Sequence, residues 1–165
     1  MKKLKQNKGF TLVEMLACVV TLSLVCMICM TGTGLSIKSY NESRFESDSQ
    51  KLEASIEMVL GDILRYAEEI TVNASGDVVF SNTEYGIVQG NLLIKNEKFA
   101  VKRKSEAEDT VALITPVAYA DNLYIDGFQL SYNSTDKLFT GSYNIKSKVT
   151  NVVKSCTFSF RTIAE

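Results

Sequence analysis

The 165-residue sequence contains no histidine and no tryptophan, and a single proline, Pro116. Without histidine it lacks the commonest general base and the commonest metal ligand, which weakens the case for an enzyme or a metal centre. With its one proline at 116, nothing of that kind interrupts a helix in the first two thirds of the chain. Four cysteines suggest two disulfides only if their positions are ignored. Cys18, Cys26 and Cys29 lie inside an apolar run, and Cys156 stands alone near the C-terminus. They read as small apolar filler and, at 156, as a strand residue. P-loop, dinucleotide fingerprint, CxxC and nucleophile elbow are all missing. The charge balance is 18 basic to 19 acidic residues, but four lysines and no acid fall in residues 1–9. Taking those 4 from 18 leaves 14 basic against 19 acidic, a net −5 on residues 10–165. Such a surface gives no support for general nucleic-acid binding.

What is present begins at Phe10. From there to Met30 run 21 residues with one charge, Glu14. As a helix, that length crosses the ~30 Å hydrocarbon core of a bilayer. Lys2, Lys3, Lys5 and Lys8 crowd its N-terminal flank, whereas Lys38 and Arg44 on the far side sit among Glu42 and Glu46. The positive-inside rule then predicts residues 1–9 in the cytoplasm and the chain beyond ~37 outside. A secretory signal fits poorly, because Thr31-Gly32-Thr33-Gly34 follows the run where a small-x-small cleavage site belongs. A lipoprotein signal ending before Cys18 fits no better, since the run stays apolar for twelve residues after it. A plain anchor explains the length and the lysines but not Glu14.

A carboxylate in such a span costs ~2.5–3.5 kcal/mol near the bilayer centre and less at its edge. No Lys or Arg within the span offers itself as a partner. A new α-amino group at Phe10 would, being mostly charged at neutral pH with a pKa of roughly 8. The spelling Lys8-Gly9-Phe10-Thr11-Leu12-Val13-Glu14, behind a short lysine-rich leader and opening a long apolar run, resembles the cleavage motif of type IV prepilins and pseudopilins. The likeness is close over residues 8–17, and the anchor context extends it to about residue 30. It implies cleavage between Gly9 and Phe10 by a membrane-embedded prepilin peptidase and methylation of the Phe10 amine. It also implies pairing of Glu14 with the Phe10 amine of a neighbouring subunit. Two charges that are costly apart in lipid become tolerable together.

Beyond the span, Phe45, Leu52, Ile56, Val59, Leu60, Ile63 and Ala67 recur at helical steps among polar residues. The pattern predicts one helix from 10 to ~68, about 85–90 Å at 1.5 Å per residue. Its weak point is 31–34, where each glycine costs about 1 kcal/mol relative to alanine. That segment reads as a break, or as a place that unwinds when subunits pack. From ~71 short β-branched and aromatic runs alternate with turn residues, predicting strands at 78–81, 85–89, 91–95, 98–103, 111–115, 122–132, 138–148 and 152–162. The expected fold is α+β and pilin-like: a leader at 1–9, a transmembrane half-helix at 10–37, an amphipathic half at 38–70, and a β-rich head at 71–165. The helix stripe covers the apolar face of an antiparallel sheet.

The resemblance implies a structural subunit of a type IV pilus or pseudopilus, serving adhesion and motility, secretion or DNA uptake. Residues 60–67 loosely resemble the helix end of minor subunits. The implied partners are other pilin or pseudopilin subunits, the peptidase, an assembly ATPase and a polytopic inner-membrane platform protein, with a filament outside the cytoplasmic membrane as the destination. No cofactor, catalytic group or small-molecule substrate is expected. Lys102-Arg103-Lys104 reads as a solvated loop rather than a DNA contact, since Glu106, Glu108 and Asp109 follow it. Asp121, Asn122 and Asp126 match no EF-hand spacing, so no metal site is assigned. The competing reading is a single-span receptor whose β head binds a ligand.

Overall fold

The computed structural model describes residues 11–103, 110–120 and 122–163. The chain divides into an N-terminal unit ending at Tyr40 and a compact second unit from Asn41 onward. The long helix α1, Leu12–Arg65, supplies nearly all of the first unit's described residues and the first element of the second. It runs through residues 31–34 without interruption, so the expected break is not seen. Gly32 and Gly34 meet nothing within 4 Å of where a Cβ would stand, so no contact within the chain requires glycine at either position.

In the second unit, α1 buries Phe45, Ser49, Leu52, Ile56, Leu60 and Ile63, close to the stripe read from the sequence. Among the described residues eight strands follow, in two antiparallel sheets. The first has five strands in the order β1(Glu68–Val72), β2(Val78–Asn82), β3(Ile87–Lys95), β4(Lys98–Lys102), β5(Thr110–Ala112). The second has three, β6(Leu123–Asn133), β7(Leu138–Ser147) and β8(Val153–Arg161). The architecture is therefore α+β, a long helix on antiparallel sheet, as expected; the sheet is split in two.

Three boundaries differ from the sequence reading. The helix ends at Arg65, not near 68–70, and Glu68–Val72 is a strand. Ala67 mimics the next helical step after Ile63, but tertiary partners claim the last carbonyls first. Asn82 Nδ2 donates to Ile63 O at 3.0 Å, Ile163 N to Arg65 O at 2.7 Å, and Thr162 Oγ1 to Arg65 O at 3.2 Å. Carbonyls of the last turn have no partner inside a helix, and here they find it in β2 and in the chain just after β8. The runs 85–89 and 91–95 form one strand, β3, across Gly90, whose absent side chain lets the Lys102 carbonyl approach. The run 111–115 stops at Ala112, and Pro116 then opens a short 3-10 turn, Pro116–Tyr119.

Apolar and polar residues alternate along β6, with one change of phase. Leu123 and Ile125 point into the core; then a bulge between Asp126 and Gln129, with Gly127 at φ +65°, moves the inward set to Phe128, Leu130 and Tyr132. Such a slip would turn an uninterrupted strand inside out, and the extra residue prevents that.

Candidate functional site

The N-terminal unit carries the candidate site. Gly9 and Phe10, the expected cleavage and methylation positions, lie outside the described residues. Glu14 lies within them, as the third residue of α1. Thr11 N and Thr11 Oγ1 donate to Glu14 Oε2 at 2.8 and 2.9 Å, and Glu14 N donates to Thr11 Oγ1 at 3.3 Å. This reciprocal pair is a capping box: Thr11 closes an orphan amide of the first turn while Glu14 reaches back to the amide of Thr11. The signature Thr-x-x-Glu stands in the sequence and gives Glu14 a partner besides the expected cation. Both bonds fall on Oε2, and Oε1 meets no donor among the described residues.

Beyond the cap, α1 is the one described helix long and apolar enough to cross a membrane. Its large side chains from Leu12 to Ile37 are exposed, Leu12 at 83% and Ile28 at 70%. The hydroxyls in this stretch are masked. Thr21, Ser23, Thr31, Thr33 and Ser36 each donate to a carbonyl three or four residues back, at 2.8–3.0 Å. Each hydroxyl is thus satisfied within its own helix, as a span in hydrocarbon requires.

The faces are unequal. Glu14, Cys18, Thr21, Val25, Cys29, Gly32 and Ser36 follow one another at steps of three or four, so one stripe of the helix is small and weakly polar. Leu16, Val20, Leu24 and Met27 occupy the other side. Small residues in a stripe let helices approach closely in lipid, where packing rather than the hydrophobic effect drives association.

Several polar groups of the second unit serve structure. Lys154 Nζ lies 2.9 Å from Glu53 Oε2 and 3.4 Å from Glu46 Oε1, tying β8 to α1. Cys156 is buried against α1, and burial together with the Glu53 carboxylate pushes its thiol up to about 12, so it stays protonated and unreactive. All four cysteines are free. Asp126 is held by Lys146 at 2.6 Å and by the Gly127 amide at 2.8 Å, and these bonds lower its pKa. Asp121 lies outside the described residues, among which no three acidic or cysteine side chains gather as metal ligands.

Fold and site together define an α+β protein with one candidate membrane-crossing helix near its N-terminus. Comparison with protein families, curated proteins and solved structures returns no match.

Proposed function

We propose that the chain is a structural, non-catalytic subunit, of the minor kind, of a type IV pilus or pseudopilus. In this reading a prepilin peptidase cuts between Gly9 and Phe10 and methylates Phe10. The lysine-rich leader stays in the cytoplasm, and the β head lies outside. An assembly ATPase and a platform protein then drive the subunit into a filament with its relatives, through the small stripe of α1. The observation that carries the reading is the start of α1: an acid four residues after Phe10, behind Lys8-Gly9, opening a helix whose exposed surface is apolar and whose hydroxyls are internally satisfied. Glu14 has two parts here. Its Oε2 caps its own helix, and its charge pairs with a neighbour's Phe10 amine.

Mass spectrometry of the protein purified from membranes tests this. A mature chain starting at methylated Phe10 is expected; a chain that keeps Met1 and still enters filaments refutes the reading. Gly9 replaced by a bulky residue should leave the precursor uncut. The receptor reading, favoured by a groove in the β head, predicts a retained Met1 and no filament.

A further inference from the structure

The two sheets of the second unit meet at one end, where Ile125 N donates to Glu97 O at 2.8 Å, and part beyond it. Between them lies a groove of about 970 Å³. Its walls are backbone as much as side chain: residues 91–94 of β3 and 128–131 of β6 line it consecutively, where a single sheet face would contribute every second residue. Both stretches have one open edge among the described residues. β6 pairs with β7 and has no strand on its other side. β3 pairs with β2 only as far as Gly90; from Asn91 to Lys95 it pairs with β4 alone.

An open strand edge presents unpaired amides and carbonyls, and folded proteins usually guard it with charge or proline. Here the edge is bare. Residues 128–133, Phe-Gln-Leu-Ser-Tyr-Asn, carry no charge and no proline and favour extended structure. The bulge that guards the first half of β6 ends where the groove begins.

We infer that the groove between the open edges of β3 and β6 is a docking site for one extended strand of a partner protein, which joins the two sheets by main-chain hydrogen bonds. The chemistry of the walls describes the occupant. One side offers Leu92, Phe128, Leu130 and the ring of Phe158, which lies over Gly141; the other offers Gln129, Ser131, Thr140, Ser142 and Thr157. The occupant alternates apolar and neutral polar residues, because successive strand side chains face opposite ways. Asp77 is the only charged residue of the lining among the described residues, so a cationic residue suits that end. Six residues at ~3.3 Å each match the length of the β6 edge. A second folded copy fits less well, since it brings one edge to a site that has two. The inference stands apart from the assembly reading and does not need it.

The probe is an acetylated, amidated octapeptide, Lys-Thr-Val-Thr-Val-Thr-Val-Thr, added to the full chain in detergent micelles. Amide exchange read by mass spectrometry should slow in 91–94 and in 128–131 together. Methylating alternate backbone nitrogens of the peptide, in either phase, should weaken binding by about tenfold or more, because hydrogen bonds are lost and groups opposite them left bare. Asp77→Asn should weaken the Lys peptide about two- to fivefold and leave a peptide beginning with Thr unchanged. Absence of protection overturns the inference, as does binding indifferent to backbone methylation. Protection of 128–131 alone, with a dimer that forms without peptide, also overturns it and assigns the edge to self-pairing.

Discussion

Glu14 has been given two roles, and a set of substitutions at Thr11 and Glu14 separates them. Glu14→Gln keeps an oxygen for the two Thr11 donors, now at 2.8 and 2.9 Å, and loses only the charge. Glutamine serves in a capping box as glutamate does. Thr11→Val keeps the charge and the shape of residue 11 but removes the hydroxyl, leaving the Glu14 amide without its 3.3 Å acceptor. Glu14→Ala removes both. Loss of a cap costs ~0.5–2 kcal/mol, which means fraying of the first helical turn by a factor of about two to thirty. Loss of the charge cancels an ion pair between groups that, unpaired in lipid, each cost up to ~3 kcal/mol. If charge pairing governs association, Glu14→Gln should fail nearly as badly as Glu14→Ala, with Thr11→Val clearly milder. If the cap is everything, Glu14→Gln should behave as wild type, and Thr11→Val should match Glu14→Ala.

The chain carries its own reporters. Cys18 and Cys29 lie on the small stripe with Glu14, and Cys26 lies to one side of it. Mild oxidation of membranes should join copies through Cys18 or Cys29 when helices pack by that stripe, and the yield measures association. N-terminal sequencing of the same samples reports processing separately. A Glu14→Gln chain that is cut, crosslinks and enters filaments as wild type does would refute the pairing role and leave Glu14 a helix cap.

Further outcomes are expected elsewhere in the chain. Gly32→Ala with Gly34→Ala meets no steric obstacle and should stabilise α1 by about 1 kcal/mol per site; if residues 31–34 unwind during packing, the double variant crosslinks poorly, and unchanged crosslinking removes that idea. Asn82→Ala should cost about 2–4 kcal/mol in urea unfolding followed by tyrosine fluorescence, because Asn82 both donates to Ile63 O at 3.0 Å and accepts from Tyr85 N at 3.2 Å while itself buried. Gly141→Ala should cost about 1–3 kcal/mol in the same assay, since a Cβ there collides with the Phe158 ring and the Gln129 carbonyl. Cys156 gives a pH signature. Its thiol ionises near ~8.5 when unfolded but is pushed up to about 12 when folded. The stability it contributes is whole below the unfolded value and is lost as pH rises towards the folded one. Cys156→Val should therefore flatten the alkaline fall in stability; an unchanged slope would show that the thiol is not masked.

How far these features could be read from the sequence depends on the range of the interactions behind them. The apolar run and the buried stripe of α1 were legible because a helix repeats its own period, and Phe45, Leu52, Ile56 and Leu60 are buried as that period requires. The strands β6, β7 and β8 were legible because alternation is also local. The end of α1 was not, because Asn82, Thr162 and Ile163 decide it through bonds to residues 19–98 positions away in the chain. The join across Gly90 was missed for the same reason: it depends on a carbonyl of the next strand. Glu14 is the instructive case. Its capping partner was three residues away and spelled in the sequence, yet its apolar surroundings drew attention to charge and away from the hydrogen bond nearest at hand. The groove lies at the other extreme. No pattern in one strand reveals that β3 and β6 each leave an edge open towards the same space; only the register of five strands shows it. Local signals thus define the apolar helix and the strands, while the groove arises where two sheets with different neighbours part.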